Sequence, residues 1–358
     1  MFKAKKSIYI VLIAGLFISA TTITSTLISN QKDDNYFEIT KNIRIMASVY
    51  DNINTFYVDE PEPGSLMKKG IDAMLKSLDP YTVYIPESDI EDYRFMTTGQ
   101  YGGIGAMIKA QDSYIVISEP YEDSPTDKAG IIAGDILLEI DGKSVVGKTT
   151  KEMSAILKGG AGTILNVKYE RNGITSETKI TREVIKIPSV PYYGMIDEEI
   201  GYVKLNSFTS TASSDVVNAL KYLKDSSGMK KLVFDLRGNG GGLLHESVNI
   251  VNFFIAKGQA VVATKGRLTD LNRDYKTLNT PFDEEMPIVV LVDGYSASAS
   301  EIVSGSLQDL DRAVIIGMTT YGKGLVQQTK DLNFGSKVKL TIAKYYTPSG
   351  RCIQKLDY

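Results

Sequence analysis

Three serines alternate with alanines at the end of an apolar run. Residues 287–293, PIVVLVD, read as a buried strand, and Gly294 and Tyr295 lead from it into SASASE. A serine on a sharp strand-to-helix turn is exposed at a helix N-terminus, where free N–H groups and the dipole favour a developing anion. Serine also caps helices, so one of Ser296, Ser298 and Ser300 is expected to do so. A hydroxyl nucleophile needs a base. The one histidine of the chain, His245, follows GNGGG, and Lys323 stands in TTYGKGLVQQ; the residues alone leave both open, since Ser–Lys pairs are an established variant of the triad. A lysine base must lie roughly three units below its usual value of about 10.4, on the order of 4 kcal/mol of desolvation and nearby positive potential. That requires burial, which the flanking runs AVIIG and LVQQ make available. On a strand, Lys323, Leu325 and Gln327 would share one face and Gln328 the other. The glycines of GNGGG, residues 238–242, bring backbone donors close to a substrate oxyanion.

These residues need a frame. From Ile187 onward, strand and helix patterns alternate: KLVFDL, then LLHESVNIVNFFIA, then PIVVLVD, then SASEIVSGSLQDL, then AVIIG, LVQQTKDL and KVKLTIAKYYTP. Such repetition predicts an α/β layer with loops gathered at the strand ends, where sites form. Tyr101 to about Val184 has short strands and glycine turns, with one brief helix at TTKEMSAILKG. Asn35 to Tyr93 carries apolar residues at helical spacing (Ile39, Ile43, Met46, Val49, then Leu66, Ile71, Met74, Leu75), stopped at Asp79-Pro80. We read it as a scaffold or oligomerisation surface, so a homo-oligomer is among the expected assemblies. Lys3, Lys5 and Lys6 precede an uncharged run from Ser7 to Gln31. About 20 apolar residues span a bilayer, and the basic flank stays cytoplasmic. An uncleaved signal-anchor is favoured over a removed signal peptide. The expected location is membrane-anchored with the catalytic part outside the cytoplasm, or secreted if the segment is cleaved.

The string KAGIIAGDILLEIDGKSV resembles a PDZ domain, with a short helix leading through Gly134-Asp135 to a strand and a tight Asp141-Gly142 turn. Glycines around Ile104, Gly105 and Ala106 would let N–H groups converge on a peptide carboxylate, with the adjacent strand edge taking the peptide as an added strand. DLRGNGGG, GYSASASEIVSGSLQD and TTYGKGLVQQ, in this order and with 25 residues from Ser298 to Lys323, resemble the C-terminal processing peptidases. That resemblance implies an α+β multidomain protein: a helical N-terminal region (32–93) after the anchor (1–31), a PDZ β-domain (94–184) and an α/β, crotonase-like peptidase core (185–358). It implies Ser298 as nucleophile, Lys323 as general base, Gln327 as its orienting partner, and the N–H groups of Gly242 and Ala299 as oxyanion hole. His245 is then a helix-start residue, and Asp309 a structural one that closes a helix. Implied substrates are proteins or peptides with free C-termini. The family usually carries more sequence after YYTPSGRCIQKLDY, so the core is expected to be short at its C-terminal end.

Composition closes off other classes. With 40 basic and 43 acidic residues, nucleic acid is not an expected partner. One cysteine, Cys352, excludes a thiolate zinc site and an intramolecular disulfide; no metal or cofactor is expected. GMTTYGKG, residues 317–324, matches G-x-x-x-x-G-K, but Gly324 replaces the Ser or Thr that binds magnesium, and a strand pattern follows where a P-loop needs a helix. The remaining alternative is a non-catalytic PDZ scaffold with an inactive peptidase domain.

Overall fold

A computed structural model describes residues 35–356; the apolar run 7–31 lies outside them. Among the described residues no helix is long and apolar enough to cross a membrane, and no cluster of three or more His, Cys, Asp or Glu could hold a metal. The chain divides into two compact units at Met74/Leu75. In the first, helix α1 (35–56) is followed by α2 (Pro63–Lys76), which runs two residues into the second unit. Tyr50 donates to the Pro63 carbonyl at 3.0 Å and fixes the turn between them. The helical period read from Ile39 to Val49 forms a helix, yet these side chains are exposed.

The second unit opens with strand β1 (Val83–Ile85), which interrupts the stretch expected to be helical. Helix α3 (Ile90–Thr98) follows, ended by Gly99 in the left-handed region. β2 (Gln100–Gly103) enters a smaller β-domain, made of β3 (Ala106–Gln111), β4 (Tyr114–Pro120), α4 (Pro125–Lys128), β5 (Ile136–Ile140), β6 (Lys143–Ser144), α5 (Thr150–Leu157), β7 (Ile164–Arg171) and β8 (Ile174–Thr181). Its sheet runs β3-β4-β5-β7-β8, so β3 is an edge strand, and α5 packs beside it. Alternation in SYIVISEP and TILNVKYERNG buries Ile115, Ile117, Leu165 and Val167 around Met153 of α5. The Asp141-Gly142 turn has both residues at positive φ (51° and 74°), as a two-residue hairpin loop requires. β9 (Glu183–Lys186) pairs with β2 and closes the domain on its entry strand.

The larger core continues with β10 (Tyr192–Met195), β11 (Ile200–Lys204), α6 (Ala212–Lys221), β12 (Lys231–Asp235), α7 (Leu244–Val251), β13 (Ala260–Lys265), β14 (Arg273–Lys276), β15 (Ile288–Val292), α8 (Ala299–Asp309), β16 (Val314–Gly317), β17 (Leu325–Asp331) and β18 (Lys337–Tyr346). The order β10-β11-β12-β15-β16 is parallel from β11 onward. Parallel strands covered by helices read as continuous apolar runs, as in KLVFD and IVVLV. A second sheet is built on β18: β17 covers one edge, and β1 and β13 share the other. Phe208, Leu220, Phe234, Phe254 and Val290 are buried between the layers. Since β12, β15 and β16 are neighbours running the same way, the loops after all three emerge at one end of the sheet, side by side.

Phe234, at 0% exposure in the central strand, should be indispensable to this arrangement. Phe234→Ala should destabilise the core by about 3–5 kcal/mol through lost burial and an unfilled cavity, read from the shift of its denaturant unfolding transition.

Candidate active site

The loop after β12 is DLRGNGGG. Asp235 ends the strand, 1% exposed, and accepts from Tyr202 Oη at 2.6 Å and from the Arg237 guanidinium at 2.7 Å. Burial alone would raise its carboxyl, but these bonds hold it at about 2. Asn239 is fully buried. Its amide donates to the Leu205 carbonyl at 2.8 Å and accepts from Gly241 N–H at 2.9 Å, while its own carbonyl accepts from Ala297 N–H (3.0 Å) and Ser300 Oγ (2.9 Å). The glycine loop is thereby fastened to the serine turn. The approach is close: a Cβ on Gly241 would stand 2.9 Å from Ser298 Cβ and 3.0 Å from Ala299 N, and one on Gly242 would stand 2.4 Å from the Phe208 carbonyl oxygen. Both glycines hold positive φ, 100° and 148°, so side chains are excluded by strain and by space. Gly242 N–H has no acceptor among the described residues.

The turn after β15 uses its three serines differently. Ser296 is fully buried; its Oγ donates to the Leu236 carbonyl at 2.8 Å and accepts from Asp293 N–H at 2.9 Å. Ser300, also fully buried, bonds Asn239 as above. Only Ser298 lines the large cavity of the core, about 520 Å³. It occupies the N-cap of α8 at φ 56° and ψ −111°, a conformation non-glycine residues avoid and functional sites retain. Ala299 opens the helix, and a first-turn N–H has no intrahelical acceptor.

Glu301 holds the turn. It is 1% exposed, and its carboxylate accepts from Ser298 N–H at 2.7 Å, Gly322 N–H at 2.6 Å and Lys323 N–H at 2.9 Å. Tyr345 of β18, equally buried, donates to the Lys323 carbonyl and lies 3.0 Å from that of Ser298. The backbones at Ser298 and Lys323 are thus held by the same two side chains.

Lys323 lines the cavity with Ser298, Ala299, Gly242 and Gln327. Burial, reinforced by the neighbouring Lys339 ammonium, brings its amine down to about 8, against the opposing pull of Glu301 and Asp79. Relative to its ordinary value, the charged form is disfavoured by about 3 kcal/mol. Its Nζ sits 4.5 Å from the Tyr81 ring centroid and makes no hydrogen bond to Ser298 Oγ or Gln327 within the described residues. Gln327 is therefore not found orienting Lys323. A bulge at Ile342 of β18 lies opposite Val326 and Gln327, and the Gln327 amide donates to the Leu325 carbonyl at 3.2 Å and to Thr341 Oγ1 at 3.4 Å. Gln328 lies outside the cavity lining.

The other sequence-designated residues separate cleanly. His245 lies outside the cavity, its side chain 63% exposed and 3.5 Å from Glu246. Asp309 ends α8 and accepts from Ser349 N–H at 3.0 Å, Ser349 Oγ at 2.6 Å and the Arg351 guanidinium. Ile104, Gly105 and Ala106 belong to the β-domain and do not line the catalytic cavity. The Ile104 carbonyl accepts from Thr126 N–H at 2.9 Å and the Gly105 carbonyl from Tyr121 N–H at 2.9 Å; the N–H groups of Ile104 and Gly105 have no acceptor among the described residues. Neither Arg171 nor Arg182 joins this domain to the core; both are spent inside it. Arg171 makes a bidentate pair with Asp135 (2.7 and 2.6 Å), and Arg182 donates to the last carbonyls of α5, those of Ile156 and Leu157. The contact is made instead by Lys158, 2.5 Å from Asp92 on α3 and over the rings of Phe95 and Tyr101.

Glu301, Tyr345 and Lys339 were missed from sequence. Glu301 had a readable signal: Ser298-x-x-Glu301 before an apolar run is a capping box. Tyr345 and Lys339 carry none, since both read as ordinary residues of an amphipathic strand.

Residues 199–357 match Peptidase family S41, and residues 116–171 match the PDZ domain family. The carboxy-terminal-processing protease of Bartonella bacilliformis is 36% identical over 349 residues, covering 96% of this chain and 79% of that protein. A probable CtpA-like serine protease of Staphylococcus haemolyticus is also 36% identical, over 96% of this chain and 68% of its own length. A putative S41 protease structure from Bacteroides fragilis aligns with a TM-score of 0.51 at 17% identity over 82% of this chain and 80% of that one, a likeness of fold. The β-domain is a PDZ domain and the core an S41 serine-type peptidase. The chain belongs to the family of C-terminal processing proteases.

The division of labour among the serines predicts distinct losses. Ser298→Ala should lower kcat/KM on the order of 10⁴-fold or more with the fold intact. Ser296→Ala and Ser300→Ala should each cost about 1–3 kcal/mol of stability, because each leaves buried groups unpaired, yet retain measurable peptide hydrolysis. Equal loss of turnover in all three, with folding checked by circular dichroism, would refute the assignment.

Proposed function

We propose that the chain is an endopeptidase that hydrolyses peptide bonds through an acyl-enzyme on Ser298, with Lys323 as general base and acid. The carrying observation is that Ser298 and a buried, charge-disfavoured Lys323 share one cavity while Glu301 and Tyr345 grip the backbone of both. Neutral Lys323 Nζ, swung from the Tyr81 ring, takes the Ser298 Oγ proton as Oγ adds to the scissile carbonyl. The N–H groups of Gly242 and Ala299 receive the oxyanion. Lys323 ammonium then protonates the departing amine, and the freed amine activates water against the ester. Gln327 acts through β17–β18, bracing the wall beside Lys323; in closing on substrate its carbonyl oxygen is the atom available to the ammonium.

The PDZ domain is proposed to select substrates with free, mostly apolar C-termini. The unoccupied N–H groups of Ile104 and Gly105 support a carboxylate site leading into the open edge of β3 at Ala106. The basic-then-apolar start of the chain supports attachment to a membrane, with the peptidase on the outer side.

The base assignment fixes the sign of the pH dependence. Lys323 works only when neutral, so kcat/KM should rise with pH through about 8 and level off above it. Lys323→Arg should be inactive at every pH, since guanidinium does not deprotonate in proteins. His245→Ala, at an exposed position outside the cavity, should leave the profile in place. Loss of turnover in His245→Ala with survival in Lys323→Ala would replace the Ser–Lys mechanism by a histidine-based one. For the PDZ site, a strand-length tail peptide should bind the Ser298→Ala chain more tightly as the acid than as the amide, by roughly tenfold in calorimetry; equal affinities would remove the carboxylate role from Ile104–Ala106.

A further inference from the structure

A second lysine lines the catalytic cavity. Lys339 stands on β18, opposite Thr329 of β17 and Val83 of β1. On its side of the bulge it shares its strand face with Thr341. No ion pair or hydrogen bond is made by its side chain among the described residues, whereas other lysines of the core, such as Lys204 with Asp235 and Lys224 with Asp283, have an acidic partner. The charged groups near this pocket are Lys323 on the loop before β17, Glu301 on α8 and Asp79 before β1. Both acids are committed: Glu301 to three backbone N–H groups, and Asp79 to Tyr81 N–H, Thr82 N–H and Thr82 Oγ1. Burial pushes the Lys339 ammonium below its ordinary range. A partly buried cation without a counter-charge, facing the space a substrate fills, costs stability when that space is empty and gains when an anion enters.

The surrounding chemistry selects the anion. Polar side chains cluster at this end of the cavity: Gln327, Thr329 and Tyr93, whose hydroxyl donates to Thr329 Oγ1 at 3.0 Å. The same cavity is also lined by Gly242 and Ala299 and by the apolar Ile187, Leu243 and Leu244. Lys339 is near enough to Lys323 to disfavour its charged form, and as general acid Lys323 must face the departing amine. The leaving peptide therefore lies on the Lys323–Lys339 side. Resting on the Ser–Lys reading above, we propose that Lys339 binds the α-carboxylate of a short leaving peptide, so that the active site, separately from the PDZ domain, favours bonds a few residues from a free C-terminus.

The test uses the full chain and pairs of quenched fluorogenic peptides whose leaving segment is two to four residues (roughly the length a cavity of this size holds), each made as acid and as amide. Such segments are too short to add a strand to β3. Wild type should cleave the acid at least about tenfold better in kcat/KM. In Lys339→Met the acid-to-amide ratio should fall to near one, and in Lys339→Arg it should be largely kept. Absolute turnover of Lys339→Met will change as well, so the ratio is the readout. Competition by the short leaving-segment acids for a fluorescent peptide on the Ser298→Ala chain gives the same comparison without chemistry, and should weaken by a similar factor in Lys339→Met. No preference for the acid in wild type, or a preference that survives Lys339→Met, overturns the proposal. If turnover fails through the Ser–Lys reading alone, the binding comparison still decides.

Discussion

The buried carboxylate of Glu301 is the constraint on which the catalytic arrangement rests. A carboxyl side chain at 1% exposure is tolerated only where donors replace its water. Here three backbone N–H groups do so, from Ser298, Gly322 and Lys323. Glu301 occupies the third position of α8, so the bond to Ser298 N–H is the return half of a helix capping box. The remaining two bonds extend that local device across the sheet to the loop after β16. Tyr345 repeats the tie through the carbonyls of the same two residues. A φ of 56° at Ser298 costs on the order of 1–3 kcal/mol and persists only when its surroundings over-determine it; a carboxylate on its N–H and a phenol on its carbonyl supply that determination.

This clamp works because the strand order brings the right loops together. β12, β15 and β16 lie adjacent and parallel, so polyglycine loop, serine turn and lysine loop leave the sheet at one end. Asn239 and Asp293 then stitch the first two. Asp293 accepts from Gly238, Tyr295 and Ser296 N–H groups, and although burial opposes it, those bonds hold its carboxyl below the usual range. Removing a buried contact of Asn239 would leave its partner unpaired in a dry layer. The packing tolerance is equally small, since a single methyl on Gly241 would reach Ser298 Cβ.

How much of this could be read in the sequence depended on the range of the interaction. Strand and helix patterns are local, and PIVVLVD, KLVFDL and the SASEIVSGSLQDL helix fold as their periodicity demands. The alternating serines were legible as a nucleophile turn, but the residues alone could not separate Ser298 from its neighbours; the distinction lies in where Leu236 and Asn239 place their carbonyls, some sixty residues away in sequence. The face argument put Gln327 with Lys323 and Leu325 and Gln328 away from them, and the cavity lining follows that division; the partners of the Gln327 amide, Leu325 and Thr341, depend on the pairing with β18, which no local pattern records. β1 was hidden because three residues leave no periodicity, and it exists only because β18 offers an edge. Arg171 and Arg182 are claimed within their own domain by Asp135 and by the end of α5. Lys158, which touches α3, sits at an ordinary helix end.

On the proposed Ser–Lys mechanism, the electrostatics of the two cavity lysines bear on the timing of the reaction. With an amine held at about 8, about a tenth of Lys323 is neutral at pH 7, and the Tyr81 ring beneath it favours the charged remainder. Burial and Lys339 push the other way. If Lys339 takes the carboxylate of the leaving peptide, its field on Lys323 is cancelled while that peptide is bound. Lys323 then holds its proton more firmly at the stage where it must carry one to the departing amine. Departure of the peptide removes the carboxylate and restores the repulsion. Lys323 is driven toward the neutral form at the next stage, when water must be deprotonated to release the acyl group. The same pair of ammonium groups would therefore favour acid chemistry with the leaving peptide present and base chemistry after it has gone, with no change of fold between the two.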